Sequence, residues 1–321
     1  MSVSRGHPPA HPVVRRRDFL QAAASLALAV SPTAIAGAGD ERRPTEGQLQ
    51  ELQMTDLPPT PTTKVTVQRR GPIVLIGLNR PQIHNRIDPE TFSGLGKAFY
   101  QYDNDPSLRA AVLFGHGNNF SRGIDVDAYQ ALVASGRSFM TEANTIDPLA
   151  TRGTGLSKPL VVVVHGDTWN MGHELHLVAD IRIASADTRF GQDENARGRF
   201  PGGGATVRFV REAGWANAMR YMLTAEHWGA DDAFRMGVVQ KILPTPAEAL
   251  RAGVETAERI AACGPLGIKA TLASAHLAIG SSEGEAFSRL ESQYRSLYAT
   301  EDFKEGRRAE AEDRAPNFLG K

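Results

Sequence analysis

Leu160 to Val164 is an unbroken run of branched apolar residues between Pro159 and Gly166, and such a short, β-branched run reads as a buried strand. The strand empties into a turn over Asp167 to Asn170. The period then changes, because Met171, Leu175 and Val178 recur at helical spacing. Glu174 therefore stands one turn inside a helix whose first N–H groups have no partner within the helix. Ile181 to Ala184 reads as a further strand. Phe190-Gly191-Gln192-Asp193-Glu194 places a second carboxylate on a loop ahead of the glycine-rich turn Pro201 to Gly204.

A carbonyl oxygen aimed at a helix N-terminus is polarised by the unpaired N–H groups and the positive end of the helix dipole, which makes enolate chemistry accessible. A second donor is needed. Phe120-Ser121-Arg122-Gly123-Ile124-Asp125, following the apolar strand Ala111 to Phe114, is the candidate source. Two carboxylates in different environments can have their pKa values driven apart, one orienting a water while the other moves a proton. Glu174 and Glu194 are the candidates, although most glutamates at helix starts and on loops are simply solvated. His173-Glu174-Leu175-His176 has one residue too few between Glu and the second His for a zinc-binding helix. No metal site is expected, and both histidines read as hydrogen-bonded or surface residues.

Pro159 to Gly166, Gly172 to Leu175, Ala179 to Ala184, Phe190 to Glu194, Gly198 and Pro201 to Gly204 together resemble the enoyl-CoA hydratase/isomerase (crotonase) family. The likeness extends to Leu78-Asn79-Arg80-Pro81, Asn85, Phe120 to Asp125, Ala230 to Val239 and Thr300 to Gly306. It implies an α/β fold, a spiral of ββα units with a helical C-terminal region. It implies Glu174 and Glu194 as the catalytic pair, with backbone N–H groups of Ile124 and Met171 as the oxyanion hole. Ile83, Arg122, Gly123, Ile124, Gly172, Asn195 and Arg197 are the implied substrate contacts. The implied substrate is an acyl-CoA or other acyl thioester. No cofactor is expected beyond the coenzyme A of the substrate, and assembly is expected as a homotrimer or hexamer.

Several positions depart from the family pattern. Asn170-Met171-Gly172 replaces three small glycines, Arg122 stands where a small residue is common, and Asp193 replaces a usual proline. Asn195 and Arg197 replace residues that are commonly apolar. A short or polar acyl group is the expectation from those two side chains, since an unpaired guanidinium against methylenes is unfavourable.

The 321 residues are 41% hydrophobic and 22% charged, enough for one large domain with a tail. Thirty-six basic residues balance 36 acidic ones, which gives no reason to expect nucleic acid or an anionic membrane as the main partner. The single Cys263 excludes an internal disulfide and reads as a small core residue.

Residues 1–36 read as a signal peptide. Arg15-Arg16-Arg17-Asp18-Phe19-Leu20 precedes a short Ala-rich uncharged segment ending at Ala34-Ile35-Ala36, and the arginine pair resembles the twin-arginine export motif. Export to the periplasm follows if that signal operates, the cytoplasm otherwise, and the mature chain is expected to lack an integral membrane segment. Residues 37–63 are proline-rich and read as a linker or an ordered arm, 64–260 as the core domain and 261–321 as a helical C-terminal region. Val65 to Arg69 and Ile73 to Leu78 read as a hairpin. Asp88-Pro89-Glu90 starts a helix whose buried stripe is Phe92, Leu95, Phe99 and Tyr102.

The leading functional reading is a lyase adding water to a 2-enoyl thioester. An isomerase or carbon–carbon hydrolase on the same scaffold is the enzymatic alternative, since the fold leaves the outcome to the pocket. An exported binding protein without turnover is the other, because acyl-CoA is ordinarily a cytoplasmic metabolite.

Overall fold

A computed structural model describes residues 63–135, 142–153, 155–314 and 316. The expected signal peptide and all of the expected linker but Thr63 lie outside the described residues.

β1 (Val65–Arg70) and β2 (Ile73–Leu78) form the expected antiparallel hairpin, turning at Gly71 with φ +53°. β3 (Ala110–Gly115), β4 (Leu160–Val164), β6 (Ile181–Ser185) and β9 (Lys241–Leu243) add in parallel, giving the order β1-β2-β3-β4-β6-β9. Every residue of β2, β3 and β4 is buried, which is why these strands are apolar throughout instead of alternating. α1 (Pro89–Asn104) starts at Asp88, whose Oδ1 accepts the Thr91 N–H at 2.8 Å. It lays Phe92, Leu95, Phe99 and Tyr102 on one face of the sheet. α7 (Pro246–Ala261) covers the other face, packing Ala249, Leu250, Val254 and Ala257 over Val112, Val161, Val163 and Ile183.

A second, smaller sheet positions the site. Asp167–Trp169, expected as a turn, is β5. It pairs in parallel with β7 (Arg189–Gly191), expected as a loop, and β7 pairs with β8 (Trp228–Gly229). Three-residue strands carry too little periodicity to be read locally. β4 and β5 lead into α3 (Met171–Val178), and β6 and β7 lead towards α4 (Ala205–Ala213), so the ββα unit repeats with one strand in each sheet.

After α2 (Val126–Ala134), which follows β3, the remaining helices lie towards the C-terminus. They are α5 (Trp215–Thr224), α6 (Ala230–Arg235), α8 (Pro265–Tyr298) and α9 (Glu301–Ala311). Cys263, between α7 and α8, is exposed, which corrects the expectation of a core residue. Among the described residues no helix is long and apolar enough to cross a membrane.

Candidate active site

The loop after β3 and the start of α3 meet edge to edge. Gly123 sits at φ +85°, and a Cβ there would fall 2.9 Å from Trp169 O and 3.1 Å from Met171 N. Gly172 is equally constrained, because a Cβ would stand 2.5 Å from Ser121 O. Glycine at both positions lets the two backbones touch. Ile124 and Met171 are thereby brought together, and among the described hydrogen bonds neither N–H has a protein acceptor.

Both glutamates border the same cavity. Its volume is about 90 Å³, and its wall includes Ile124, Asn170, Met171, Glu174, Glu194 and Arg199, with Phe92, Leu149 and Phe200 supplying apolar surface. Glu174 is 3% exposed and Glu194 8%, so neither is the solvated residue that spacing alone favours. Glu174 Oε1 accepts the N–H groups of Gly203 at 2.7 Å and Ala205 at 3.2 Å. Burial nevertheless pushes its pKa up to about 7, against the opposing pull of those donors and of Arg208. Glu194 is driven well above the carboxylate range by burial and then by the charge of Glu174, with Arg199 working the other way. Both shifts run the same way, so burial and mutual repulsion favour the protonated form of the pair.

Gln192 supports Glu194 from behind. In the amide orientation that satisfies both ends, its NH₂ donates to Glu194 at 2.8 and 3.2 Å and its oxygen accepts from His173 Nδ1 at 2.9 Å. His173 and His176 are fully buried beside Phe190, and His173 also meets Phe209 and Trp228, so the surface alternative for them is corrected. His173 has the hydrogen bond that was expected, whereas neither ring nitrogen of His176 has a partner among the described residues. Burial pushes His173 down to about 3, leaving it neutral. No cluster of metal-ligating side chains occurs among the described residues.

The implied substrate contacts separate into two groups. Gly123, Ile124 and Gly172 are at the junction. Asn195 and Arg197 turn away from the cavity: Asn195 Nδ2 donates to Met222 O at 2.7 Å, and Arg197 pairs with Asp193 and Glu310, each at 3.1 Å. Neither side chain lines the cavity, so neither supports the expectation of a short or polar acyl group. Arg122 pairs with Asp167 at 2.6 Å and stacks on Trp169, 4.7 Å from the ring centroid, and Ile83 lies in a 3₁₀ turn. Neither lines the cavity. Sequence reasoning missed Asp147, Arg152, Arg199, Glu291 and Tyr298, which do. They come from distant segments and share no spacing. Gln192 could have been found, since it is two residues before Glu194.

The profile of the family described as Enoyl-CoA hydratase/isomerase matches residues 68–321. The chain is 35% identical over 256 residues to Enoyl-CoA hydratase EchA19 of Mycobacterium tuberculosis, covering 78% of this chain and 95% of that protein. It is 30% identical over 259 residues to Crotonyl-CoA hydratase of Syntrophomonas wolfei, covering 80% and 98%. The crystal structure of a probable enoyl-CoA hydratase/isomerase from Mycobacterium abscessus matches with a TM-score of 0.67 at 40% identity, over 81% of this chain and 99% of that one. Spiral, double sheet and relatives together define a crotonase-type enzyme. The chain belongs to the enoyl-CoA hydratase/isomerase family.

Proposed function

We propose that the protein hydrates a 2-enoyl thioester, with coenzyme A as the carrier in the substrate. The observation that carries this reading is one small cavity bordered by two buried carboxylates and by the adjoining segments that hold the Ile124 and Met171 N–H groups. The thioester oxygen is held by those two donors, so that charge developing on the enolate oxygen meets fixed dipoles in a small, largely buried cavity. Water forms its O–C3 bond while Glu174 accepts the proton released, and Glu194 gives its proton to C2 on the same face. The pair still holds one proton afterwards, moved from Glu194 to Glu174, and its return resets the site.

Incubation of purified protein with a short 2-enoyl-CoA, following loss of the conjugated thioester absorbance and formation of the 3-hydroxyacyl product, tests the assignment. Binding without turnover overturns it.

Export by the twin-arginine route and assembly as a trimer or hexamer complete the proposal. The first is supported by Arg16-Arg17-Asp18-Phe19-Leu20 and is tested by fractionating cells that carry Arg16→Lys with Arg17→Lys. The second is supported by Trp215 and Leu223, each 70% exposed on α5, and is tested by the solution mass.

A further inference from the structure

Two departures from the family pattern, Asn170 for a small residue and Asp193 for a proline, lie against each other, with Asn170 on the cavity wall. Asn170 Nδ2 donates to Asp193 Oδ1 at 2.8 Å, and the Asp193 N–H donates to Asn170 Oδ1 at 3.0 Å. Both residues are buried. Each is also the neighbour of a functional group, because Asn170 precedes the donor Met171 and Asp193 precedes Glu194.

Asn170 is the residue before α3 and adopts φ +53°, ψ −122°. An L side chain is strained there and persists only where its surroundings over-determine it, whereas glycine takes the conformation freely. Those surroundings are visible. The Asn170 N–H donates to Gly191 O at 2.8 Å, its carbonyl accepts the Glu174 N–H at 2.9 Å, and its amide is held at both ends by residue 193. Asp193 is itself fixed. Its Oδ2 accepts from Arg197 at 3.1 and 3.3 Å and lies 3.6 Å from His227 Nε2. Burial opposes its charge, but His227, Arg197 and Asn170 outweigh burial and hold it well below the usual carboxylate range. A proline at 193 could supply neither the N–H nor the carboxylate.

We propose that Asn170 and Asp193 are positioning residues: their reciprocal hydrogen bonds hold a strained backbone in place and so fix the Met171 donor in register with Glu194. This rests on the hydratase reading of the site. The pair acts through Met171 and Glu194 and need not touch the substrate.

The test is suppression. Asp193→Ala removes the carboxylate while Asn170 keeps its strain, and kcat on a short enoyl-CoA is expected to fall about tenfold or more with KM changed far less, as for a displaced transition-state donor. Adding Asn170→Gly supplies a residue that adopts φ +53° freely, and the double variant is expected to recover most of that loss. Melting temperature should follow the same order. Asp193→Asn, which keeps an acceptor for the Asn170 amide, should retain more activity than Asp193→Ala and guards against a variant that does not fold. A loss that Asn170→Gly leaves uncorrected, or no loss in Asp193→Ala, overturns the proposal. A wild-type protein that turns over no enoyl thioester would instead remove the hydratase reading. The clamp would then still be decided by whether Asn170→Gly restores the melting temperature lost in Asp193→Ala.

Discussion

Gly203 and Glu174 approach each other as closely as they do because residue 203 has no side chain. The Gly203 N–H donates to Glu174 Oε1 at 2.7 Å, while a Cβ on Gly203 would overlap Glu174 Oε2. The glycine-rich turn is therefore a seat for the carboxylate. Gly203→Ala is expected to push Glu174 off this seat and lower kcat by about tenfold to a hundredfold, since small displacements of a reacting group cost that much. Circular dichroism should show the fold retained while the hydration rate falls.

Replacing either glutamate with glutamine keeps its shape and removes its proton chemistry. Both Glu174→Gln and Glu194→Gln should bind substrate and lose hydration by about a hundredfold or more. Steady-state rates and binding of the saturated thioester separate the two effects. If Glu174→Gln were nearly harmless, a one-carboxylate isomerisation would describe the site better.

Raised carboxylate pKa values also set a pH dependence of stability. Between the ordinary value of 4.5 and the raised value in the fold, the native state binds more protons than the unfolded chain, so stability falls as pH rises through that window. For Glu174 the window ends near pH 7, and Glu194 is shifted in the same direction by burial and by the charge of Glu174. Glu194→Gln should therefore raise the melting temperature at pH 8 and change it much less at pH 4.5. Thermal unfolding of wild type and variant across that range checks it, and an equal shift at both ends would contradict burial as the source.

The donors of the proposed oxyanion hole are backbone groups, so their side chains are dispensable where the backbone path is not. Met171→Ala should keep activity within about tenfold, whereas Gly123→Ala, forced against Trp169 O and Met171 N at φ +85°, should cost about a hundredfold in kcat or more. Equal losses in two folded variants would count against this hole.

Asn195 and Arg197 point away from the cavity, and Leu149 lines it. Asn195→Ala and Arg197→Leu should leave the preference between short and long enoyl thioesters unchanged, while Leu149→Ala should shift it towards the longer chain. Ratios of kcat/KM for the two substrates give the answer, and a strong shift in Arg197→Leu would restore that residue to the acyl site.

Local pattern alone determined a good deal of this protein. The run Leu160 to Val164, the change to helical period at Met171 and the Asp88-Pro89 start are each contained within a few residues, so the strand, the free helix start and the capped helix were legible in the sequence. Motifs of the same kind located Glu174 and Glu194. Burial and direction were not legible, because they depend on segments far apart in the chain. Only the packed structure withdrew both carboxylates from water and raised their pKa values, turned Asn195 and Arg197 outward, and left Cys263 exposed. Asn170 and Asp193 stand out in the sequence as separate departures. That they hydrogen-bond each other follows from β5 and β7 lying side by side, a pairing of three-residue strands too short to announce itself before the chain has folded.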